Sequence, residues 1–300
     1  MAVDELIYAE TYPPPDAKAR VLRTERQCGG LAAIALIAAA RLGAKCAYAG
    51  VLGKDALSQF AIDEMRKERV DMRYLKQRPS ARPVHSFIVV DTKTGTRNIF
   101  CDVAGMIGAD DHWPSAQVIC SARVLFVDHF SLSGTIRAVR IARKAGIPVV
   151  ADFERISGAE FSTLLALADH LIVSQTFAEK LTGKSNPIKA AQSLWRDDRK
   201  MVAITCGEKG CWYLDAAAPD MIQHQPAFEV KVVDTTGCGD VFHGAYAAAL
   251  ARGVESGERI RFASAVAALK ATRRGAQAGI PSLSQVKKFL RKAHTATDGM

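Results

Sequence analysis

The residues best suited to chemistry lie in one short segment, where a turn leads directly into an apolar helix between Val233 and Ala245. Gly237 and Gly239 allow the backbone of this turn to approach a ligand closely. The amide groups of residues 237–240 would lie at a helix N-terminus, which carries free donors and partial positive charge and therefore suits a phosphate. A carboxylate at Asp240 could accept a proton from an attacking hydroxyl group. The alternative interpretation is a plain loop in which Asp240 caps the helix.

The elements that must position this segment alternate between apolar strands and helices. Strands are predicted at 46–51, 124–128, 148–152, 170–174, 201–206 and 211–214, and helices at 31–42, 57–69, 133–145, 161–167, 177–181, 241–251 and 260–272. Such alternation predicts an α/β fold with a mostly parallel central sheet covered by helices on both faces. Residues 84–90 and 96–100 flank a turn and predict a β-hairpin. We expect this hairpin to form a separate small lid, so that residues 1–300 are one domain with lid segments at about 5–28 and 82–101.

Composition and charge limit the classes of partner that the chain is expected to bind. The 300 residues carry a net charge of +9, but the basic residues are interspersed with acidic ones. This favours a solvated surface or an anionic nucleotide ligand over nucleic acid. The seven cysteines show neither Cys-x-x-Cys nor zinc-site spacing, so we expect reduced thiols in a cytoplasmic protein. The chain shows no signal peptide and no apolar run long enough to span a bilayer, so we expect no membrane partner.

The sequence Asp234-Thr235-Thr236-Gly237-Cys238-Gly239-Asp240 closely resembles the signature of the ribokinase-like (PfkB) carbohydrate kinases, with Cys238 in place of the usual alanine. The resemblance continues along most of the chain, at residues 29–44, 50–55, 205–210 and 261–276. Ketohexokinase-like members are the most similar in the spacing of Asp4 and Pro13 and in the segment after Val173. The resemblance implies a three-layer α/β/α fold with a small β-sheet lid. It also implies an ATP- and Mg²⁺-dependent kinase, and several members of the family bind a monovalent cation such as K⁺.

The resemblance also implies roles for individual residues. Asp240 would be the catalytic base, and the backbone amides of Gly237, Cys238 and Gly239 would hold the phosphoryl group. The nucleotide would be bound by Ser174, Thr205, Gly207 and Gly210. The acceptor would be bound by Asp4, Gly29, Gly30 and Arg97. The monovalent cation would be bound by Asp234 and Thr236. Relatives often pair through the lid, so we expect a homodimer.

The chain also departs from the family pattern. A strand that normally precedes Asp4 is almost absent, which predicts either a misplaced start or a sheet incomplete at its middle. Leu31 and Ile34 occupy positions that are often asparagine, so we expect an apolar wall in the acceptor pocket and poor activity on common free sugars. These departures keep two alternatives open. One is a non-catalytic sugar or nucleotide sensor on the same fold, and the other is a kinase for a nucleoside or a vitamin.

Overall fold

A six-stranded sheet forms the centre of the molecule, in the order β12-β11-β10-β9-β8-β7. The computed structural model describes residues 1–297. Strands β7 to β10 are parallel, whereas β11 and β12 are antiparallel to their neighbours. The strands are β7 (Leu125–Val127), β8 (Val149–Asp152), β9 (His170–Ser174), β10 (Met201–Thr205), β11 (Cys211–Asp215) and β12 (Ala218–Gln225). The predicted mostly parallel central sheet is therefore confirmed.

Alternate residues of the central strands face two separate hydrophobic cores. Ile172 packs into the first core, while its neighbours Leu171 and Val173 pack into the second. The first core includes residues of helices α1 (Leu31–Arg41), α2 (Ala56–Lys67), α8 (Cys238–Leu250), α9 (Ser256–Ala271) and α10 (Leu283–Thr297). The second includes residues of helices α3 (Ala116–Cys120), α4 (Leu132–Lys144), α5 (Phe161–Leu167), α6 (Gln175–Thr182) and α7 (Pro187–Leu194). Burial on both faces explains the continuous apolar strands, and the three-layer architecture is confirmed.

The predicted lid is a separate four-stranded sheet. Its strands are β1 (Ala2–Ala9), β2 (Val21–Gly29), β5 (Val84–Asp91) and β6 (Arg97–Asp102), in the order β2-β1-β5-β6. Strand β1 is antiparallel to β2 and parallel to β5, and β5 and β6 form the predicted hairpin. One face of the lid buries a small apolar cluster of Leu6, Tyr8 and Ile88.

The remaining strands, β3 (Gly50–Leu52) and β4 (Leu75–Gln77), form a two-stranded parallel sheet of their own. The predicted strand at 46–51 is wrong in its bounds, because the backbone of residues 46–48 is bonded to Asp71 instead. The Asp71 amide donates to the Cys46 carbonyl oxygen (2.8 Å), and the Tyr48 amide donates to the Asp71 carbonyl oxygen (2.9 Å). The strands outside the lid are thus divided between two sheets.

Among residues 1–297, no helix is both long enough and apolar enough to cross a membrane.

Candidate active site

Helix α8 begins directly after the turn at Gly237, which has a φ of 75°. This left-handed conformation favours glycine, and a Cβ at this position would lie 2.9 Å from the Cβ of Ala276. The helix therefore begins at Cys238 and not at the predicted residue 241. As a result Asp240 belongs to the first helical turn.

Several backbone amides of this turn have no hydrogen-bond acceptor in the described part of the protein. Within residues 1–297, the amides of Gly237, Gly239 and Asp240 make no backbone or side-chain hydrogen bond to the protein. The amide of Cys238 instead donates to the carbonyl oxygen of Thr235 (3.2 Å). The predicted anion hole thus retains Gly237 and Gly239 and gains the amide of Asp240, while the turn itself uses the amide of Cys238.

The carboxyl group of Asp240 is in an environment that favours its protonated form. Removal from water raises its pKa well above the usual value, and repulsion from Asp152 and Glu154 raises it further. Asp4 also contributes to this repulsion. Clustered carboxylates with raised pKa values are typical of acid–base sites. A raised pKa makes the ionised carboxylate a stronger base, so the arrangement suits a group that accepts a proton from a hydroxyl.

Asp152 and His243 were missed by the sequence reasoning. Asp152 ends β8 and is 4% exposed, and its Oδ2 lies 3.3 Å from Nδ1 of His243. The ring of His243 also contacts the carbonyl oxygens of Gly239 (2.8 Å) and Ile172 (2.9 Å). Carbonyl oxygens only accept, so the neutral ring can donate to one of them. Burial lowers the pKa of His243 and favours this neutral ring, while the contacts with Ile172 and Gly239 oppose the shift. His243 stands three residues after Asp240, and this helical spacing was the available signal.

Three of the predicted acceptor residues, Asp4, Gly29 and Arg97, lie on the lid, whereas Gly30 immediately precedes helix α1. Asp4 is the partner of Ser86, and Arg97 is the partner of Val90. Because Ser86 and Val90 are four residues apart on β5, their side chains and those of their partners point to the same face of the sheet. Burial raises the pKa of Asp4 to about 6, while a hydrogen bond with Ser86 acts to lower it. Gly29 leaves room for this carboxylate, because a Cβ there would lie 2.2 Å from Oδ2 of Asp4.

Arg97 lies further along the same lid face, in a cleft between the lid and the turn before α8. The cleft is lined on the lid side by Leu6, Tyr8, Ile88, Val90 and Arg97, and on the opposite side by Val233, Asp234, Thr236 and Arg274. The charge of Arg97 also reaches Cys238 of the turn, although burial is the main cause that raises the pKa of that thiol to about 11. The structure thus places a guanidinium group between the lid and the predicted phosphate site.

The predicted nucleotide residues lie at the carboxyl ends of two adjacent strands. Ser174 ends β9 and Thr205 ends β10, and the two residues are partners in the parallel pair. Ser174 caps α6 by accepting a hydrogen bond from the Phe177 amide (3.2 Å). Gly207 and Gly210 begin and follow the short 3₁₀ turn after β10, both with positive φ. These four residues therefore lie at the edge of the sheet where ligands of open α/β sheets bind.

Asp234, one of the two predicted monovalent-cation residues (the other is Thr236), does not fit a bound metal ion, because a protein ammonium group already contacts it. The carboxylate of Asp234 already accepts from the amides of Thr236 and Gly275, each at 2.8 Å. The carbonyl oxygen of Asp234 accepts from the ammonium group of Lys270 (2.8 Å). The carboxylate and carbonyl oxygens of Asp234 are therefore already engaged by protein donors, one of which is the ammonium group of Lys270.

The expected apolar wall of the acceptor pocket is not supported at Ile34. This side chain is 1% exposed and belongs to the first hydrophobic core, so it offers almost no surface to a ligand. Leu31 is 7% exposed. Both side chains are therefore buried, and α1, which carries them, packs against α8.

Residues 1–283 match the sequence profile of the pfkB family carbohydrate kinases. The chain belongs to this family. It is 30% identical over 280 residues to the ribokinase of Haemophilus influenzae, with 88% of each chain covered. It is 30% identical over 290 residues to fructokinase-1 of rice, again with 88% of each chain covered. This pfkB kinase is therefore an ATP-dependent phosphotransferase that acts on a sugar-like alcohol. Its particular likeness to ketohexokinase remains a prediction.

Solved structures of the family have the same fold as this pfkB kinase. A structure from Agrobacterium tumefaciens with a provisional ribokinase description is 25% identical and superposes with a TM-score of 0.91, covering 98% of this chain and 96% of the other. An E. coli protein solved in complex with ATP and Mg²⁺ is 21% identical, with a TM-score of 0.79 and coverage of 97% and 98%. The second likeness concerns the fold alone.

Proposed function

We propose that this chain transfers the γ-phosphoryl group of ATP to a hydroxyl group of a small sugar, with Asp240 as the general base. In this reaction the Asp240 carboxylate takes the proton of the hydroxyl group, and the hydroxyl oxygen bonds to the γ-phosphorus. The bond from that phosphorus to the bridging oxygen breaks, and ADP leaves. The observation that carries this proposal is the position of Asp240, a carboxylate with a raised pKa in the same helical turn as unbonded amides.

The amides of Gly237, Gly239 and Asp240 support the second part of the proposal. Phosphoryl transfer depends on positioning and on stabilising charge that develops on the transferred group. Preorganised donors need no rearrangement when that charge appears. A sensor that only bound a sugar would not need a base beside these donors, so their combination favours catalysis over the sensor alternative.

The residues around Asp240 fit ATP that carries Mg²⁺. This ion usually binds through one or two carboxylates together with the substrate phosphates. Asp152 fits that role, because its Oδ2 has no hydrogen-bond partner among residues 1–297. When bound, Mg²⁺ would neutralise charge on the phosphates. Ser174, Thr205, Gly207 and Gly210 would hold the remainder of the nucleotide at the adjacent strand ends.

The acceptor would bind between the lid and α8. Asp4 can accept hydrogen bonds from sugar hydroxyl groups, and its charge is close enough to Asp240 to influence the pKa of that residue. Arg97 can donate to hydroxyl or anionic groups from the same lid face. A polyhydroxylated acceptor, with or without an anionic group, therefore agrees with the site better than an apolar one.

The outer face of the lid supports a homodimer. Phe87 and Phe100 are direct partners in the β5–β6 pair and are 41% and 53% exposed. Large aromatic side chains paired on an exposed sheet face are typical of an interface. A second copy of this chain would cover them.

The test is a measurement of ADP formation from ATP against ketoses, aldoses, phosphosugars and nucleosides. We expect turnover with at least one sugar or phosphosugar. Turnover with nucleosides alone would favour the nucleoside-kinase alternative. Sugar binding in calorimetry without ADP formation on any acceptor would favour the sensor and contradict the proposal.

A further inference from the structure

A fully buried lysine lies beneath the turn that precedes α8. Lys270 is in the last turn of α9 and has 0% exposure. Its Nζ donates to the carbonyl oxygen of Asp234 (2.8 Å) and lies 3.9 Å from Oδ2 of the same residue. Lysine is almost never fully buried unless its charge is paired. This position therefore requires an explanation.

The surroundings of Lys270 favour the ionised form of its partner Asp234. Burial alone would raise the pKa of Asp234, but hydrogen bonds from Thr236 and Gly275 and the charge of Lys270 bring it below the usual value. Burial lowers the pKa of Lys270, and the nearby Cys238 and Asp234 oppose that shift. An ionised carboxylate beside a buried ammonium forms a compensated pair, whereas removal of one partner leaves a buried charge.

The space that the lysine occupies is formed by the surrounding chain. A Cβ at Gly279 would lie 3.1 Å from Cε of Lys270 and 2.9 Å from the carbonyl oxygen of Gly275. The glycine thus leaves room for the lysine stem. The ammonium group then reaches the carbonyl and carboxylate oxygens of Asp234, which were expected to bind a monovalent ion. An ammonium group carries the same charge as K⁺, so both cannot occupy this place.

We propose that Nζ of Lys270 is the resident cation of the turn at residues 234–239 and replaces a monovalent metal ion in this protein. The lysine is a positioning residue, because it acts through Asp234 on the turn that holds Gly237 and Gly239. The stability part of this proposal stands alone, and its catalytic part rests on the proposed function. Neither the fold nor the reaction therefore requires K⁺.

The experiment compares wild type with Lys270→Ala and Lys270→Met in KCl, NH₄Cl and tetramethylammonium chloride at equal ionic strength. Melting temperature and ADP formation are both measured. We expect wild-type values to be the same in all three salts. We expect Lys270→Ala to melt lower and to lose at least roughly tenfold in rate. K⁺ or NH₄⁺ should restore much of both, since a ligand that binds only the folded state stabilises it. Lys270→Met should show no rescue, because its side chain fills the space without a charge.

Lys180→Met, which removes an exposed ammonium on α6, is the matched control and should behave like wild type in every salt. Wild-type activity or melting temperature that rises with K⁺ would overturn the proposal, even if the lysine variants fail to fold. An unchanged Lys270→Ala protein would also overturn it. If no acceptor is phosphorylated at all, the melting temperatures still test whether Lys270 is the resident cation. Failure of the proposed function can therefore be distinguished from failure of the Lys270 proposal.

Discussion

Helices α1 and α8 are in contact at Gly244, and an alanine there would force them apart. A Cβ at Gly244 would lie 2.1 Å from the carbonyl oxygen of Ala35 and 2.8 Å from its carbonyl carbon. Since an ordinary contact needs at least 3.4 Å, the helices must separate by roughly 1 Å. Helix α8 carries Asp240, and α1 begins after Gly30 on the acceptor side.

The size of the effect of Gly244→Ala follows from this contact. Overpacking a core typically costs about 1–3 kcal/mol. The higher helix propensity of alanine returns up to about 1 kcal/mol of that cost. A net loss of about 1–2 kcal/mol should lower the melting temperature by roughly 2–8 °C in a chain of this size. A displacement of about 1 Å between base and acceptor could lower the rate roughly 100-fold.

The assay for Gly244→Ala is thermal unfolding together with steady-state kinetics. Gly257→Ala in α9 is the control, because its Cβ would meet only the hydroxyl end of Tyr213, at 3.3 Å. The control should melt at or slightly above the wild-type temperature. A Gly244→Ala protein with unchanged melting temperature and rate would show that the α1–α8 contact does not position Asp240.

Three further predictions concern the site and the lid. Burial and neighbouring carboxylates raise the pKa of Asp240, so the decline of kcat/KM at low pH should begin at a higher pH than for an ordinary aspartate. Below that pKa, kcat/KM should fall about tenfold per pH unit. A kcat/KM that stays constant down to pH 4 would contradict this. The folded-state pKa of Asp4, about 6, exceeds its ordinary value of 3.8, so the fold loses stability as the pH rises from 3.8 to about 6, and the full loss persists at higher pH. Asp4→Asn should therefore raise the melting temperature at pH 8 but not at pH 4, and should raise KM for the acceptor; a lower melting temperature at pH 8 would refute this. Phe100→Asp should convert a dimer to a monomer in light scattering without loss of fold, whereas a wild-type monomer at micromolar concentration would exclude the lid interface.

Local sequence patterns were sufficient to predict the layered α/β architecture and the glycine-rich turn before α8. The Gly29-Gly30 pair and Gly43 mark the two ends of α1 in the sequence. The alternation of strands and helices predicted that the central sheet is mostly parallel. Strand β12 was missed because most of its side chains are polar or exposed. Helix α7 was missed although Asn186 caps it and Pro187 begins it, which are recognisable start signals.

The parts of the site that the sequence could not provide depend on long-range contacts. Asp152 is an ordinary strand-end aspartate until the fold brings it within 3.3 Å of His243. Lys270 fits a helix of mixed polarity and reveals its role only through its contact with Asp234. Ile34 was interpreted as a ligand-facing position because relatives have a polar residue there, whereas its near-complete burial makes it a core residue.

The most direct test of the account is phosphoryl transfer by Asp240→Asn, followed by ³¹P NMR with ATP, Mg²⁺ and the best acceptor from the screen. The amide keeps the size of the side chain but cannot take the proton. We expect the sugar-phosphate signal to form about 10²–10⁴-fold more slowly than with wild type, while ATP binding measured by calorimetry is retained. A variant that forms the same product at a rate near that of wild type would contradict the assignment of Asp240 as the general base.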